Sequence, residues 1–203
     1  MGQRVALVDY GAGNLHSVRN ALRAAGATDI LVTADPDQVR SCDRIVLPGV
    51  VAFAHCMNAL GAIEGMIDAL NDATGAGGKP FLGICVGMQL MADAGEEHGR
   101  HAGLGWVKGT VRMLMPSDPA TKIPHMGWND VVPTTPHPLI EAGEAYFLHS
   151  FAFAGDGALA TTDHGGQIVA AIGAGNRVGV QFHPEKSQTY GLRLLSRFLD
   201  WKP

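Results

Sequence analysis

The sequence predicts an α/β fold: a central mixed, mostly parallel sheet flanked by helices, with a more antiparallel second half. Three observations carry this. Through the first half short aliphatic runs alternate with helix-like stretches, the pattern of successive βαβ units. From about Trp106 strand-like segments follow one another with few helices between them. Within that second half, Gly173-Ala174-Gly175-Asn176 reads as the turn of a hairpin. A length of 203 residues suits one domain over 1–203 with a sizeable buried core.

Residues 5–8 (Val-Ala-Leu-Val) open the sheet. Asn14 caps a helix whose apolar positions Leu15, Val18 and Leu22 recur at helical spacing, and Gly26 ends it. Residues 30–32, 45–47 and 81–84 read as further buried strands, with a helix over 63–70 before the last. In the second half, strands are expected over 107–114, 146–148, 159–161, 168–172 and 178–182. A helix over 191–201, with Leu192, Leu195 and Leu199 on one face, closes the chain.

Composition narrows the function. Apolar residues make up 46% and charged residues 17%, a globular balance, and no apolar run approaches the length of a membrane span. The formal charge of −4 and the lack of a dense Lys/Arg stretch argue against nucleic acid, so a small-molecule substrate is expected. From Met1 the chain runs into the first strand without a basic leader, and Ala6 stands where a myristoylation signal wants Ser or Thr; a cytoplasmic address is expected. Cys42, Cys56 and Cys85 are odd in number and lack CxxC spacing, which suits free thiols better than disulfides or a zinc knuckle. His98 and His101 lie in a polar loop without HExxH spacing, so no metal or cofactor is expected.

Chemistry concentrates at two places. Gly83-Ile84-Cys85-Val86-Gly87 follows a buried strand and precedes a helix expected over 88–94, so Cys85 occupies a nucleophile elbow with Cys in place of Ser. Glycines flank it because side chains there would collide in so tight a junction. The unpaired amides of a helix N-terminus favour a thiolate and can hold an oxyanion. A small buried core cysteine is the alternative reading. At the second place, Gln181-Phe182-His183-Pro184-Glu185 ends a strand, and Pro184 keeps His183 extended, so His183 and Glu185 at i and i+2 point to one side. Imidazole can then face the thiol while the carboxylate fixes its tautomer, the logic of a triad. The alternative is a surface His–Glu pair.

Together, Gly83-Ile84-Cys85-Val86-Gly87-Met88-Gln89 and Gln181-Phe182-His183-Pro184-Glu185-Lys186-Ser187 resemble the class I glutamine amidotransferases. Residues 9–14 (Asp-Tyr-Gly-Ala-Gly-Asn), 47–50 (Leu-Pro-Gly-Val), 124–129 (Pro-His-Met-Gly-Trp-Asn) and 146–150 (Tyr-Phe-Leu-His-Ser) narrow the resemblance to the glutaminase subunits of imidazole glycerol phosphate synthase, over nearly the whole chain. The resemblance implies the class I amidotransferase fold and hydrolysis of L-glutamine, with ammonia passed to a (β/α)8-barrel cyclase partner subunit in histidine biosynthesis. It implies Cys85 as nucleophile, His183 as base and Glu185 as its orienter. Gln89, Glu97 and Ser150 match positions that hold glutamine. Gly49, Val50 and Val51 match the oxyanion strand, and Val86 the other half of that hole. Asn14, Trp128, Tyr146 and Lys186 match the face that meets the cyclase.

One position departs from the family pattern: glycine is expected after Val50, and Val51 stands there. In the family that peptide turns over to complete the hole, and a β-branched residue resists positive φ. Phe151 stands where Tyr is usual. Gly11-Ala12-Gly13 after a strand lacks the third glycine of a dinucleotide fingerprint, so a plain strand-to-helix turn is expected. Other readings are an amidotransferase serving a different synthase, a silent scaffold that binds its partner, and a Cys peptidase.

Overall fold

The computed structural model describes residues 3–203; Met1 and Gly2, on which the N-terminal leader and acylation readings rest, lie outside it. The first half contains β1 (Arg4–Val8), α1 (Leu15–Ala24), β2 (Asp29–Thr33), α2 (Pro36–Ser41), β3 (Arg44–Gly49), α3 (Phe53–Gly61), α4 (Met66–Thr74), β4 (Phe81–Cys85) and α5 (Val86–Gln89). There follow β5 (Ala92–Gly95), β6 (His101–Ala102), β7 (Val107–Met113), β8 (His125–Pro133), β9 (Gly143–His149), β10 (Phe151–Gly155), β11 (Ala158–Asp163), β12 (Gln167–Ala174) and β13 (Arg177–Val180). A 3₁₀ turn (Pro184–Lys186) and α6 (Gln188–Asp200) close the chain. None of the described helices is long and apolar enough to cross a membrane.

Nine strands form one sheet in the order β2-β1-β3-β4-β13-β12-β11-β8-β9. From β2 to β13 neighbours run parallel, and from β13 to β9 they run antiparallel. The expected division into a parallel half and an antiparallel half is therefore a division across one continuous sheet. A smaller sheet, β10-β7-β5-β6, packs beside it. The central strands β1, β3 and β4 are almost wholly buried, which is why they read as continuous aliphatic runs. Strand β2 is only half-buried because it forms the edge of the large sheet, so its aliphatic run marks an edge and not a buried centre.

The helix starts and stops follow local chemistry. The Asn14 side chain accepts from the Ser17 amide at 3.4 Å as the cap of α1, and Gly26 follows the helix at φ +111°. The hairpin between β12 and β13 turns at Gly175, φ +60°, as the glycine-rich run predicts. Three expectations need correction. The helix expected over 63–70 is α4, which begins at Met66 because Gly65 enters it left-handed at φ +77°. The closing helix begins at Gln188, three residues before Gly191. The helix expected over 88–94 ends instead at Gln89: the carbonyls of Leu90, Met91 and Ala92 take up amides of Leu104, Gly105, Trp106 and Val107, and the chain leaves as β5.

Helix α6 crosses the 3₁₀ turn so closely that a Cβ on Gly191 would run into the Pro184 carbonyl. Gly191→Ala is expected to lower stability by about 2–3 kcal/mol, since neither backbone can yield without opening the turn that carries His183 and Glu185. Urea denaturation of the variant measures this.

Candidate active site

The sharpest feature of the backbone lies at Cys85, which joins β4 to α5 at φ 54° and ψ −111°, where few non-glycine residues are found. The surrounding glycines make the turn possible. A Cβ on Gly87 would collide with the Leu47 carbonyl of β3, and one on Gly83 would lie 2.6 Å from the Gly87 carbonyl oxygen. A Cβ on Gly49 would sit 2.9 Å from the Gly87 amide and from the Tyr10 hydroxyl, which itself donates to the Pro48 carbonyl at 2.6 Å. The elbow is thus wedged against the end of β3.

His183 and Glu185 arrive from the other neighbour of β4. Strand β13 runs parallel to β4 with Val180 opposite Ile84, so the residues just after Val180 reach the level of Cys85. Pro184 leaves His183 extended at φ −102° and ψ 99°, as expected. His183 Nδ1 lies 2.8 Å from Glu185 Oε1, with the side chains 4% and 1% exposed, so water screens this pair very little. Its backbone amide donates to the Tyr146 carbonyl, and its carbonyl accepts from Ser187 Oγ at 2.7 Å. Burial alone would disfavour the charged imidazole, but it is outweighed by the hydrogen bonds and charges of Cys85 and Glu185, which raise His183 to about 10.

A pocket of about 340 Å³ opens over the sulfur, bordered by Val50, Val51, Val86, Glu97, Ser150 and Lys186 among others. Glu97 stands in the turn after β5, where one carboxylate oxygen accepts from the Phe53 amide at 2.9 Å and caps α3, whose Ala52 offers no side-chain cap. Gln89 is buried at the end of α5, and its amide nitrogen donates to the Phe151 carbonyl at 2.9 Å and to Gln181 Oε1 at 3.0 Å. The Val50 amide donates to the Ala12 carbonyl at 3.0 Å, so in this arrangement it is turned away from the sulfur. The four residues of α5 supply one turn of helix dipole behind Val86, less than the longer helix expected from the sequence.

Trp128 and Tyr146 are opposed across β8 and β9 with ring centroids 6.2 Å apart, and Lys186, which borders the pocket, places Nζ 5.8 Å from the Tyr146 ring. Trp128 and Met126 are 47% and 64% exposed, a large apolar surface for a strand face. Asn14 caps α1 beyond the turn that holds the Val50 amide, with Gly13 packed on Pro48.

Two residues at this site carry no sequence prediction. Gln181 Nε2 lies 3.7 Å from Cys85 Sγ, and its spacing of two residues from His183 was a signal in plain sight. His149 borders the pocket, donates from Nδ1 to the Phe151 carbonyl at 2.9 Å and meets His125 at 3.0 Å. Burial first, then the neighbouring histidines, lowers His149 to about 4 and His125 to about 3, so both stay neutral. No local pattern marks the His125–His149 contact, because it crosses between β8 and β9.

Residues 6–201 match the family described as glutamine amidotransferase class-I. The chain is 62% identical over 205 residues to the imidazole glycerol phosphate synthase subunit HisH of Zymomonas mobilis, covering 98% of this chain and 96% of that one. To the subunit of the same name from Rhodospirillum rubrum it is 53% identical, covering 98% and 100%. Among solved structures, a glutamine amidotransferase superposes with a TM-score of 0.74 at 17% identity, covering 96% of this chain and 97% of that one. PurLQS from Thermotoga maritima gives 0.72 at 20%, covering 98% and 99%. At these identities the structures establish the shared fold.

The raised His183 sets a pH dependence. A group that binds its proton more tightly when folded adds stability that is complete below its unfolded value of 6.5 and lost as pH rises through about 10. Urea unfolding between pH 6 and 10 is expected to show stability falling with pH, with a shallower fall in Glu185→Gln.

Proposed function

The chain belongs to the class I glutamine amidotransferases, and on that ground we propose that it is the glutaminase subunit of imidazole glycerol phosphate synthase. It hydrolyses L-glutamine to glutamate and supplies ammonia for histidine biosynthesis. The observation that carries this is the buried line of Cys85, His183 and Glu185 at the base of one pocket. Residues 1–203 act as one amidotransferase domain in the cytoplasm, needing no cofactor or metal.

In the first step Cys85 Sγ, its proton held by His183, bonds to the side-chain amide carbon of glutamine as the carbonyl electron pair moves onto oxygen. The oxyanion of the tetrahedral intermediate takes the amide of Val86 and one from the peptide of Gly49, Val50 and Val51. His183, protonated at neutral pH, gives its proton to the departing nitrogen as the C–N bond breaks, and neutral ammonia leaves. Water then attacks the thioester with His183 taking its proton, and glutamate departs with Cys85 restored. Glu185 holds Nδ1 and balances the imidazolium throughout. Glu97, with one oxygen left over from capping α3, faces the substrate's α-ammonium, and Ser150 and Gln89 hold the opposite wall.

Ammonia in bulk water near neutral pH is mostly protonated and inert as a nucleophile. A (β/α)8-barrel cyclase docked over the pocket rim, against Trp128, Tyr146, Lys186 and Asn14, keeps it neutral and delivers it for making imidazole glycerol phosphate and aminoimidazole carboxamide ribotide. The Val50 amide, held by Ala12, favours a resting chain that turns over slowly until docking and cyclase ligand reorient that peptide. Val51 makes this reorientation harder than glycine would.

Glutamate release is expected to be slow for the chain alone and strong with cyclase and its phosphoribosyl substrate, and absent in Cys85→Ala. A complex that forms yet releases no glutamate in any mixture would make the chain a scaffold. Trp128→Ala is expected to weaken cyclase binding by about tenfold or more, measured by titration calorimetry.

A further inference from the structure

The amide of Gln181 is a buried polar group that the triad does not use, and the hydrogen bonds around it fix its orientation without ambiguity. The Phe151 carbonyl can only accept, so the Gln89 group 2.9 Å from it is the nitrogen. The second proton of that nitrogen goes to the Gln181 group 3.0 Å away, which must then be the oxygen. This turns Gln181 Nε2 toward Cys85 Sγ at 3.7 Å. The Phe151 carbonyl is itself held by a second donor, His149 Nδ1. His149 Nε2 then accepts from His125 Nδ1, and His125 Nε2 accepts from the amide of Asn129. Two donor runs thus converge on the Phe151 carbonyl, one from β8 through His125 and His149 and one from Gln89, and the second proton of Gln89 continues through Gln181 toward the nucleophile.

From this we infer that Gln181 belongs to the catalytic apparatus of the proposed glutaminase: its N–H donates to the Cys85 sulfur, holds it in line, and stabilises negative charge on it during attack and when the thioester is cleaved. The other group near the sulfur works the opposite way. The Leu148 carbonyl, 3.9 Å from Sγ, can only accept and so suits the protonated thiol. His183 alone must reach the departing nitrogen during the reaction and turns from the sulfur to do so, whereas Gln181, fully buried and tied at its oxygen, stays in place. A donor to an ionised acceptor is the stronger kind of hydrogen bond, and inside a protein it is hardly screened.

The inference rests on the glutaminase reading for its turnover measurement, but the reactivity of the sulfur tests it independently. Gln181→Met keeps the shape of the side chain and removes the donor. In complex with cyclase and its phosphoribosyl substrate, kcat for glutamate release is expected to fall about tenfold or more, with KM within about twofold. Alkylation of Cys85 by iodoacetamide at pH 6, followed by peptide mapping to separate it from buried Cys42 and Cys56, is expected to slow about threefold. The figure is modest because a tenfold smaller thiolate population is partly offset by a more nucleophilic thiolate. Should Gln181→Met not fold, Gln181→Glu preserves the bond from Gln89, offers the sulfur no N–H, and is expected to lose both rates. A folded variant with unchanged kcat and unchanged alkylation, or with its loss confined to KM, would overturn the inference. Slower alkylation in a chain that releases no glutamate with any partner would uphold the donor role while removing the glutaminase reading.

Discussion

The active-site geometry depends on the close approach of the Cys85 turn to the end of β3. A left-handed non-glycine residue costs on the order of 1–3 kcal/mol, and it persists only where the surroundings allow no other arrangement. Here they allow none: Gly83 and Gly87 fold onto each other, Gly87 presses on the Leu47 carbonyl, and Gly49 meets both Val86 and Tyr10. The consequence is that the sulfur sits at the C-terminal ends of β3, β4 and β13, where parallel strands deliver side chains to a common crevice. Register then does the rest, because β13 ends level with β4 and releases Gln181 and His183 beside the sulfur.

Such a site is costly to hold. His183 and Glu185 are buried almost completely, and among the described residues no partner reaches the second oxygen of Glu185. Desolvation opposes the charged pair, and the hydrogen bonds and charges of Cys85 and Glu185 outweigh it, so His183 holds its proton inside the fold. The cost is borne by the aliphatic core of β1, β3 and β4 and by Phe147, Phe182 and Tyr190, which pack edge to face around the strand end.

The antiparallel half of the sheet supplies the other wall. Strands β8 and β9 carry the exposed Trp128 and Met126 on their outer face while Leu148, His149 and Ser150 border the pocket. Surface and pocket wall are therefore two parts of one pair of strands, so the exposed Trp128 and the pocket residues Leu148 and His149 share one backbone ladder. His125 and His149 within it are neutral near pH 7, so this wall is held by direction of hydrogen bonding and not by charge.

Much of this was legible in the chain. Continuous aliphatic runs marked the buried parallel strands, Asn14 and Gly26 marked α1, the glycine-rich run at 173–176 marked a hairpin, and the two signatures around Cys85 and His183 marked the candidate site, because each depends on neighbours within a few residues. Helices α2 and α3 and strands β5, β6, β8 and β10 were not foreseen, and α5 stops after one turn because backbone from residues 104–107 takes the carbonyls of Leu90, Met91 and Ala92 just beyond it. Local chemistry along the chain sufficed to single out Cys85 as the candidate nucleophile and to give the sharpness of the turn that presents it, since glycine spacing and a proline after histidine act over a few residues. Assembly of the sheet was needed to settle which amide faces the sulfur, where the Val50 amide points, and that Glu97 caps a helix, because each of these is a contact between segments far apart in the chain.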